Sequence, residues 1–506
     1  MRENKKRTVK KNLLLLFIVS YFLSFAQTAP LMEWQKVIMT GLHDRINDIV
    51  QTSDGGYISL AQTNTVPGSS FKCAISKIDA NGNPVWNKTI GGSGKDFGKK
   101  IIKLADGNFI LIGSTTSTDG DMSGHYSSEK MWVFKMDSLG NFIWKKFYNG
   151  EGINDILPVP DGYVLLGNVL NAGFADVRIT KITGDGNVVW TKTYGGNADD
   201  MGVKIDFTPD NNYIIFAQTR SNNGTVTNNH GEQDAWVIKL DTSGNLLSQK
   251  TYGGSSWEYA TDFFKDVDGY VFWGQASSLN GDLTGVAVDD DSDYWIFKTD
   301  FAGNILWQKK IGSDYAEYYN WGKIIKSTDN NYLAMGLVWN GYKTVYGSGH
   351  HGASDIWLIK FDTSGNILWK KCWGGSTYDY ALNFIQNSDG SIVIAGSTNS
   401  QNGDLAGSGK NTGGEDTWIF KLYPETFLST NETKEIPTNI FPNPASDFVH
   451  VETNKKIENI EIFTLTGQFV KSSKEKKVDI SSLTKGIYIF KVQTSEGTET
   501  HKIIKE

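Results

Sequence analysis

The stretch IWLIKFDTSGNILWKK, residues 356–371, consists of two apolar segments that are joined by the turn DTSGN. An apolar run on either side of a Gly-Asn turn predicts a β-hairpin, because the turn positions require residues that tolerate positive φ. The first segment contains Trp357 and ends in Lys360, and the second contains Trp369 followed by Lys371. This stretch therefore predicts two antiparallel strands with one recognisable signature.

The signature is repeated along the chain. Complete copies begin at Cys73, Met131, Val177, Ala235, Tyr294 and Ile356, and the first half of a seventh copy begins at Thr417. Before each copy lie two further apolar runs, separated by turns such as SDGG at residues 53–56. Each unit is thus predicted to be a four-stranded antiparallel sheet, which cannot bury both of its faces alone. The sequence predicts an all-β fold, a seven-bladed β-propeller of four-stranded antiparallel blades over residues 33–421.

The last unit lacks its fourth strand. Residues 33–39, EWQKVIM, carry the Trp-x-Lys pattern of a fourth strand but have no hairpin before them. We expect strand 33–39 to close the last blade, because joining the two chain ends in one sheet leaves no exposed edge.

Composition and charge limit the function classes. The chain has 506 residues with 49 Lys and Arg against 56 Asp and Glu, a net charge of −7. Residues 1–27 hold six basic residues and one acid, which leaves 43 basic and 55 acidic residues, a net charge of −12, for the rest of the chain. A surface this acidic argues against nucleic acid as a partner. The two cysteines, Cys73 and Cys372, exclude a disulfide framework and are expected to be free thiols.

The N-terminus predicts export. Six basic residues within positions 1–11 precede an apolar run at 13–26 that is shorter than the roughly 20 residues of a membrane-spanning helix. Ser24 and Ala26 are the small residues that a signal peptidase requires, so residues 1–26 are predicted to be a signal peptide. An uncleaved anchor is the alternative. No later stretch is long enough to predict a transmembrane helix in the mature chain.

Two resemblances follow from these motifs. The pattern D-x-W-[VI]-x-K-x-D-x-x-G-N-x-x-W-x-K resembles the propeller repeats of large exported proteins from Bacteroidetes-type bacteria. Residues 436–506 show short alternating runs that predict a small C-terminal β-sandwich. Their elements FPNPASD, DISSLTKGIYIFKV and HKIIKE resemble the C-terminal sorting domain of the type IX secretion system. That resemblance implies the secretion machinery as a partner, secretion across the outer membrane to the cell surface or the medium, and removal of the domain at a linker, residues 422–435. An ordinary carbohydrate-binding β-sandwich is the alternative.

The candidate ligand surface is the face that carries the long loops and the links between blades. Several links are rich in aromatic residues beside carboxylates, a combination that recognises sugars through ring stacking and hydroxyl hydrogen bonds. The candidate ligand-binding residues are Trp257, Glu258, Tyr259, Tyr315, Glu317, Tyr318, Tyr319, Trp321, Tyr378, Asp379 and Tyr380. Packing between blades is the alternative role for each of them.

A calcium site is a second candidate. Asp289, Asp290, Asp291 and Asp293 lie in one Gly-containing loop, and calcium prefers several oxygen ligands on a flexible backbone. Asx-turns are the alternative explanation. The sequence shows no catalytic motif, so no catalytic residue is assigned. We therefore expect a non-catalytic binding or adhesion protein for extracellular polysaccharide or glycoprotein. A glycan hydrolase or lyase with carboxylates at the propeller axis and a structural surface protein are the alternatives.

Overall fold

The computed structural model describes residues 29–38, 43–64, 70–125, 130–150, 152–286, 292–312, 322–339, 349–410, 414–425, 439–453, 456–464, 468–494 and 497–506. The predicted signal peptide and most of the predicted linker lie outside these ranges. The chain divides into two compact units, Met1–Thr426 and Phe427–Glu506.

The described part of the first unit is built from β-strands and three single turns of 3-10 helix. Strand β1 is Met32–Ile38. Sheet 1 contains β2 (His43–Gln51), β3 (Tyr57–Asn64), β4 (Lys72–Ile78) and β5 (Pro84–Ile90). Sheet 2 contains β6 (Asp96–Lys103), β7 (Phe109–Thr115), β8 (Lys130–Met136) and β9 (Phe142–Tyr148). Sheet 3 contains β10 (Gly152–Val159), β11 (Gly162–Asn171), β12 (Phe174–Thr183) and β13 (Val188–Tyr194). Sheet 4 contains β14 (Asp200–Phe207), β15 (Tyr213–Thr219), β16 (Asp234–Leu240) and β17 (Leu246–Tyr252).

The next three sheets continue this pattern. Sheet 5 contains β18 (Glu258–Lys265), β19 (Gly269–Ala276), β20 (Asp293–Asp300) and β21 (Ile305–Ile311). Sheet 6 contains β22 (Lys323–Lys326), β23 (Tyr332–Trp339), β24 (Ser354–Phe361) and β25 (Ile367–Trp373). Sheet 7 contains β26 (Asp379–Gln386), β27 (Ile392–Thr398) and β28 (Asp416–Leu422), with β1 paired antiparallel to β28 as its outer strand. The helical turns are Gly120–Met122, Gly281–Leu283 and Gly403–Leu405.

The sheets pack against one another in chain order. Every strand pairing within them is antiparallel. The paired strands follow each other in the sequence, except for β1 and β28. The first strand of each sheet contacts the sheet before it, and β2 of sheet 1 contacts β26, β27 and β28 of sheet 7. Four-stranded antiparallel sheets arranged in this way are the blades of a β-propeller. The all-β prediction is therefore confirmed.

Hydrophobic side chains fill the space between adjacent sheets. Trp236 of sheet 4 is fully buried in a cluster that also contains Val164 and Leu166 of sheet 3. Trp132, Trp295, Trp357 and Trp418 occupy the equivalent position and are likewise buried. Because each cluster takes residues from two sheets, no sheet has a core of its own, and the sheets depend on their neighbours.

The outer strands are tied to the next sheet through the D-x-x-G-N turns. Gly244 has a φ of +76°, and a Cβ placed on it would lie 2.9 Å from the Trp190 ring of sheet 3. Tyr252 of sheet 4 donates a hydrogen bond of 2.8 Å to the carbonyl of Gly303 in sheet 5. The turn glycine thus provides both the left-handed conformation and the space for an aromatic ring.

The described part of the second unit is a two-layer β-structure. Its strands are β29 (Asn439–Phe441), β30 (Phe448–Glu452), β31 (Ile457–Thr464), β32 (Phe469–Ser473), β33 (Lys477–Asp479), β34 (Gly486–Thr494) and β35 (Gly497–Lys505). One sheet has the order β29-β30-β33 and the other β32-β31-β34-β35. Val449 from the first sheet and Phe490 from the second belong to one buried cluster. No helix within the described ranges has the length and apolar character needed to cross a membrane.

Candidate functional site

The axial cavity is lined by the first strands of all seven sheets and has a volume of about 260 Å³. Six of these strands carry a β-bulge at the same point, for example between Ile153 and Asp155 of β10. A bulge turns an extra side chain out of the regular alternation. One charged or amide side chain of each sheet lines the cavity just after this point: Asp48, Lys100, Asp155, Lys204, Asp262, Lys323 and Asn383. Acids and lysines therefore alternate around the cavity through six sheets.

Each acid of this axial ring is bound by both neighbouring sheets. Lys100 of sheet 2 donates to Asp155 Oδ1, and the backbone N–H of Ile205 in sheet 4 donates to Asp155 Oδ2 at 2.9 Å. Asp262 accepts in the same way from Lys204 Nζ at 2.6 Å and from the N–H of Ile324 at 2.8 Å. These bonds connect sheets 2 to 6 through buried carboxylates with satisfied oxygens.

Asn383 closes the ring, whose odd number of members prevents strict alternation of charge. Its Oδ1 accepts a hydrogen bond of 2.6 Å from Lys323 Nζ, and its Nδ2 donates to Asp48 Oδ1. An amide can do both because it carries a donor and an acceptor on one side chain. Burial lowers the pKa of Lys323 to about 8 and raises that of Asp48, since both charges are largely removed from water.

A second set of carboxyl groups lies where the chain enters sheets 2, 4, 5 and 7. Glu258 is the first residue of β18 and is fully buried. Its Oε2 accepts a hydrogen bond of 2.8 Å from the N–H of Gly254, and its Oε1 accepts one of 3.1 Å from the N–H of Ser278. Asp379 is the first residue of β26, is also buried, and accepts from Gly375 N–H at 2.7 Å. Both of these predicted ligand carboxylates are thus held inside the protein by the adjoining loops.

The same arrangement occurs in other sheets. Asp96 begins β6 and Asp200 begins β14, and both are fully buried. The N–H of Gly92 donates to Asp96 at 2.8 Å, and the N–H of Gly196 donates to Asp200 at 2.9 Å. Repetition of one contact in four sheets identifies it as a feature of the repeat that fixes the Gly-Gly link.

A further buried acid faces some of these carboxylates across a glycine of the link. A Cβ on Gly253 would lie 2.4 Å from Glu258 Oε2 and 2.5 Å from Asp234 Oδ1. Asp355 and Asp379 flank Gly374 in the same way. Burial raises the pKa of Glu258 to about 7, with a contribution from the charge of Asp234. We call these acid pairs the junction carboxyls.

The Arg–aromatic patch is the partly exposed group on the long-loop face between sheets 4 and 5. The rings of Trp257 and Tyr259 are stacked, with 6.1 Å between centroids and 17° between planes. The guanidinium of Arg220 lies 5.0 Å from the Trp257 ring centre and forms an ion pair of 3.8 Å with Asp199. Stacked rings beside a cation and a carboxylate offer a surface to a polar, ring-shaped ligand.

The remaining described candidates are arranged differently. Tyr378 is 49% exposed and meets Trp339 edge-on with centroids 5.6 Å apart. Tyr380 is buried, and its hydroxyl accepts a hydrogen bond of 3.0 Å from Arg45 Nε. The structure thus brings Trp257 and Tyr259 together and places Tyr378 at a separate junction. Tyr315, Glu317, Tyr318, Tyr319 and Trp321 lie outside the described residues.

Within the described ranges, no group of three or more His, Cys, Asp and Glu side chains has the arrangement of a metal site. Asp289, Asp290 and Asp291 lie outside those ranges. Asp293 is buried and forms an ion pair of 3.5 Å with Lys310. Cys73 and Cys372 are both buried, and neither forms a disulfide bond.

Sequence reasoning did not identify the axial ring or Arg220. The signal for the ring was present as a polar pair at one repeat position, Asn47-Asp48 in sheet 1 and Asn154-Asp155 in sheet 3. Lys99-Lys100 occupies this position in sheet 2. Placing the first strands of all repeats side by side would have shown the alternation of charge.

The comparisons with known proteins bear on the sorting domain and the fold. Residues 439–506 match the family model described as a secretion system C-terminal sorting domain. This domain indicates export by type IX secretion, the route of Bacteroidetes-type bacteria, to the cell surface or the extracellular space, and it implies interaction with the secretion machinery. No curated protein matches the chain.

Solved structures with limited similarity include one described as a β-propeller domain and one described as a WD40 domain. The chain is similar to the β-propeller domain of the Trilobed protease from Pyrococcus furiosus, with 9% identity and a TM-score of 0.40 over 71% of this chain and 91% of that one. It is also similar to the Pan2 WD40 domain from Neurospora crassa, with 10% identity and a TM-score of 0.40 over 76% and 97% of the two chains. Sqt1 from Chaetomium thermophilum has 9% identity and a TM-score of 0.39 over 78% and 100%. Similarity at these levels carries no information on ligand or activity.

Proposed function

We propose that this exported protein is a non-catalytic binding or adhesion protein that recognises extracellular polysaccharide or glycoprotein on its long-loop face. In this proposal, sheets 1–7 are the seven blades of one closed propeller. Residues 1–26 are removed as a signal peptide, and the sorting domain is released by cleavage within residues 422–435.

The observation that supports this function most directly is the Arg–aromatic patch. Trp257 and Tyr259 are only partly buried and their ring planes are nearly parallel, and each ring is large enough to stack on one sugar ring. Arg220 and Asp199 at its edge provide a donor and an acceptor for hydroxyl groups. A rigid scaffold that presents aromatic anchors on loops is a common design for recognition.

The environment of the axial acids favours binding over hydrolysis. Glycosidases of the two-carboxylate type need one carboxyl that stays protonated and a second that can attack or activate water. Asp155 and Asp262 accept hydrogen bonds on both oxygens, from a lysine and from backbone N–H groups. Both oxygens of these carboxylates are therefore engaged by the protein itself and are not available to a glycosidic bond.

The test is binding of the mature chain to an array of extracellular polysaccharides, with Trp257→Ala and Tyr259→Ala combined. Loss of two stacked anchors is expected to weaken binding by about 30-fold or more. Leu139→Ala is the matched control, since Leu139 is an exposed apolar residue in a D-x-x-G-N turn. Unchanged binding by the double variant would contradict the patch, and no binding to any glycan would favour a protein ligand or a structural role.

A chelator arm tests the proposed calcium site at Asp289, Asp290, Asp291 and Asp293. Calcium bound by these carboxylates would support the binding face. Chelation would then weaken glycan binding, and added calcium would restore it. Binding that is indifferent to chelator would remove calcium from the proposal and leave the aromatic patch in place.

A further inference from the structure

The charges that line the axial cavity do not cancel. Asp48, Asp155 and Asp262 balance the lysines of the axial ring, which are Lys100, Lys204 and Lys323. The bulged residue Lys99 lines the same cavity and adds one positive charge. The described lining therefore carries a net charge of about +1 in a confined space, where charges interact more strongly than in bulk water.

Lys99 is the lysine of this cavity that the described residues leave without a partner, whereas Lys323, which also has no ion pair, donates to Asn383. Its neighbour Lys100 donates to Asp155, and Lys204 is paired with Asp262. Among the residues that the structure describes, Lys99 makes neither a hydrogen bond nor an ion pair, and its side chain is accessible from the cavity. Desolvation by the surrounding strands, with the nearby Lys100 charge, lowers the pKa of Lys99, and the charges of Asp155 and Asp48, which form no ion pair with it, offset this only in part.

A second unsatisfied group lines the same cavity. Thr261 is the bulged residue of β18, is 9% exposed, and its Oγ1 is buried without a hydrogen-bond partner. Buried hydroxyl groups are normally hydrogen-bonded, so an orphan hydroxyl in a cavity wall indicates a place for a polar ligand atom. The neighbouring amides are already engaged: Asn47 Nδ2 donates to the carbonyl of Gly98 at 2.6 Å, and Asn154 Nδ2 donates to that of Gly202 at 2.7 Å.

We propose that the axial cavity binds a small organic carboxylate, with Lys99 pairing with the anion and Thr261 donating a hydrogen bond. One negative charge would balance the excess charge of the lining. The volume of about 260 Å³ is slightly below that of ordinary ligand pockets and suits a group of monosaccharide size. A uronic acid meets both conditions, either as the free sugar or as the end of an acidic polysaccharide. The inference is independent of the Arg–aromatic patch, which uses other residues.

The experiment is calorimetric titration of the mature chain with sodium D-glucuronate, with neutral D-glucose as the matched ligand control. Glucuronate is expected to bind and glucose to bind at least tenfold more weakly, because glucose lacks the anion. An oligomer of glucuronate distinguishes the two sources. Tighter binding of the oligomer indicates a polysaccharide end, and equal binding indicates the free acid.

Variants identify the site. Lys99→Met removes the charge at similar length and is expected to weaken glucuronate binding at least tenfold, whereas Lys99→Arg should retain it to within about threefold. Lys95→Met is the control, since Lys95 is an exposed lysine next to the same strand. Thr261→Val should weaken binding about threefold through loss of one donor.

Three results would overturn the proposal: no heat with any carboxylate, equal affinity for glucose and glucuronate, or unchanged affinity in a folded Lys99→Met variant. Folding is followed by tryptophan fluorescence, since all Trp residues precede the second unit. The outcome is separable from that of the proposed function, because the variants at Trp257 and Tyr259 leave the axial cavity intact.

Discussion

The axial ring and the junction carboxyls are two regions built from the same strands with opposite electrostatic designs. In β18 the junction acid Glu258 is followed four residues later by the ring acid Asp262, and in β26 Asp379 is followed by Asn383. Around the ring each acid is paired with a lysine or an amide of the sheet before it. At the junctions one buried acid faces another. The repeat thus fixes where polar groups lie, and the individual residues determine whether burial of their charges is compensated.

The largest effect is expected from breaking the ring at Asp155. Asp155→Ala leaves Lys100 without its partner and the N–H groups of Ile156 and Ile205 without their acceptor. Removing one partner of a buried ion pair costs about 3–5 kcal/mol. Urea unfolding of the mature chain, followed by tryptophan fluorescence, measures the loss in the free energy of unfolding.

Asp161→Ala is the matched control for Asp155→Ala. Asp161 pairs with Lys181 in the same sheet, but its side chain is 77% exposed. The Lys181 end of this pair is only 7% exposed, so the variant should lose about 1 kcal/mol, which is more than a pair exposed at both ends would lose but clearly less than Asp155→Ala loses. Equal losses in the two variants would show that burial of the ring contributes nothing.

The second effect tests the closure of the ring by Asn383. Asn383→Ala removes the acceptor of Lys323 and the donor to Asp48. Hydrogen bonds to charged groups contribute about 1.5–3 kcal/mol each, and we expect a total loss of about 2–3 kcal/mol because water can enter the cavity. Leu382→Ala changes the adjacent lining residue and should cost less than about 1 kcal/mol in the same urea experiment.

The third effect has the opposite sign and tests the junction carboxyls. Burial raises the pKa of Asp355 above its ordinary value of 3.8, and the nearby Asp379 adds to the rise. Asp355 also accepts from the N–H of His351 at 2.7 Å, and His351 Nδ1 lies 3.8 Å from Asp404. A raised carboxyl pKa costs no stability at low pH, where both folded and unfolded states are protonated. The cost appears as pH rises above 3.8, because the unfolded state ionises first.

Asp355→Asn removes this cost and keeps an acceptor for His351. The variant is expected to equal the wild type near pH 4 and to be more stable near pH 8 by about 2 kcal/mol. Asp137→Asn provides the contrast, because the hydrogen bond from the N–H of Asn141 lowers the pKa of Asp137. The ionised Asp137 therefore stabilises the fold at pH values above the ordinary pKa of 3.8. Asp137→Asn should therefore become less stable than the wild type as the pH rises. Thermal melts of both variants across this range give the two signs.

The sequence predicted the parts of the fold that depend on local pattern. The D-x-x-G-N turns and the flanking apolar runs predicted antiparallel sheets, and the elements at 441–447 and 479–492 predicted the sorting domain. Strand 33–39 was assigned to the last sheet by its Trp-x-Lys pattern, and the structure has β1, Met32–Ile38, at that place. These features follow from short-range spacing, which a single sequence shows directly.

The candidate site was harder to predict, because its properties arise from contacts between sheets. Glu258 and Asp379 were expected to face a ligand, but their position as first residues of inner strands buries them against the Gly-Gly link. The ring requires knowledge of which strand lies next to which around the cavity. Which acids are buried and which are paired therefore depends on which sheets are neighbours, and the residue types alone do not show it.

The smallest effect is expected when the acid of one junction and its cross-strand partner are replaced by the residue pair found at the other junctions. In sheets 2, 4 and 7 the first acid is Asp and its cross-strand partner is Thr, as in Asp379 with Thr398, whose Oγ1 donates to the carboxylate. In sheet 5 the pair is Glu258 with Ala276. The longer Glu reaches the N–H of Ser278, and the smaller Ala leaves room for the extra methylene.

Glu258→Asp alone should cost about 1–1.5 kcal/mol, since it opens a small cavity and lengthens the bond to Ser278. Ala276→Thr alone should cost about 1 kcal/mol through crowding. The double variant recreates the pair of the other sheets and should return to within about 0.5 kcal/mol of the wild type, which a double-mutant cycle measures as coupling. Additive losses would mean that the two positions act independently. Coupling would establish that each junction acid and its cross-strand partner act as one structural unit, which leaves recognition to the more exposed residues.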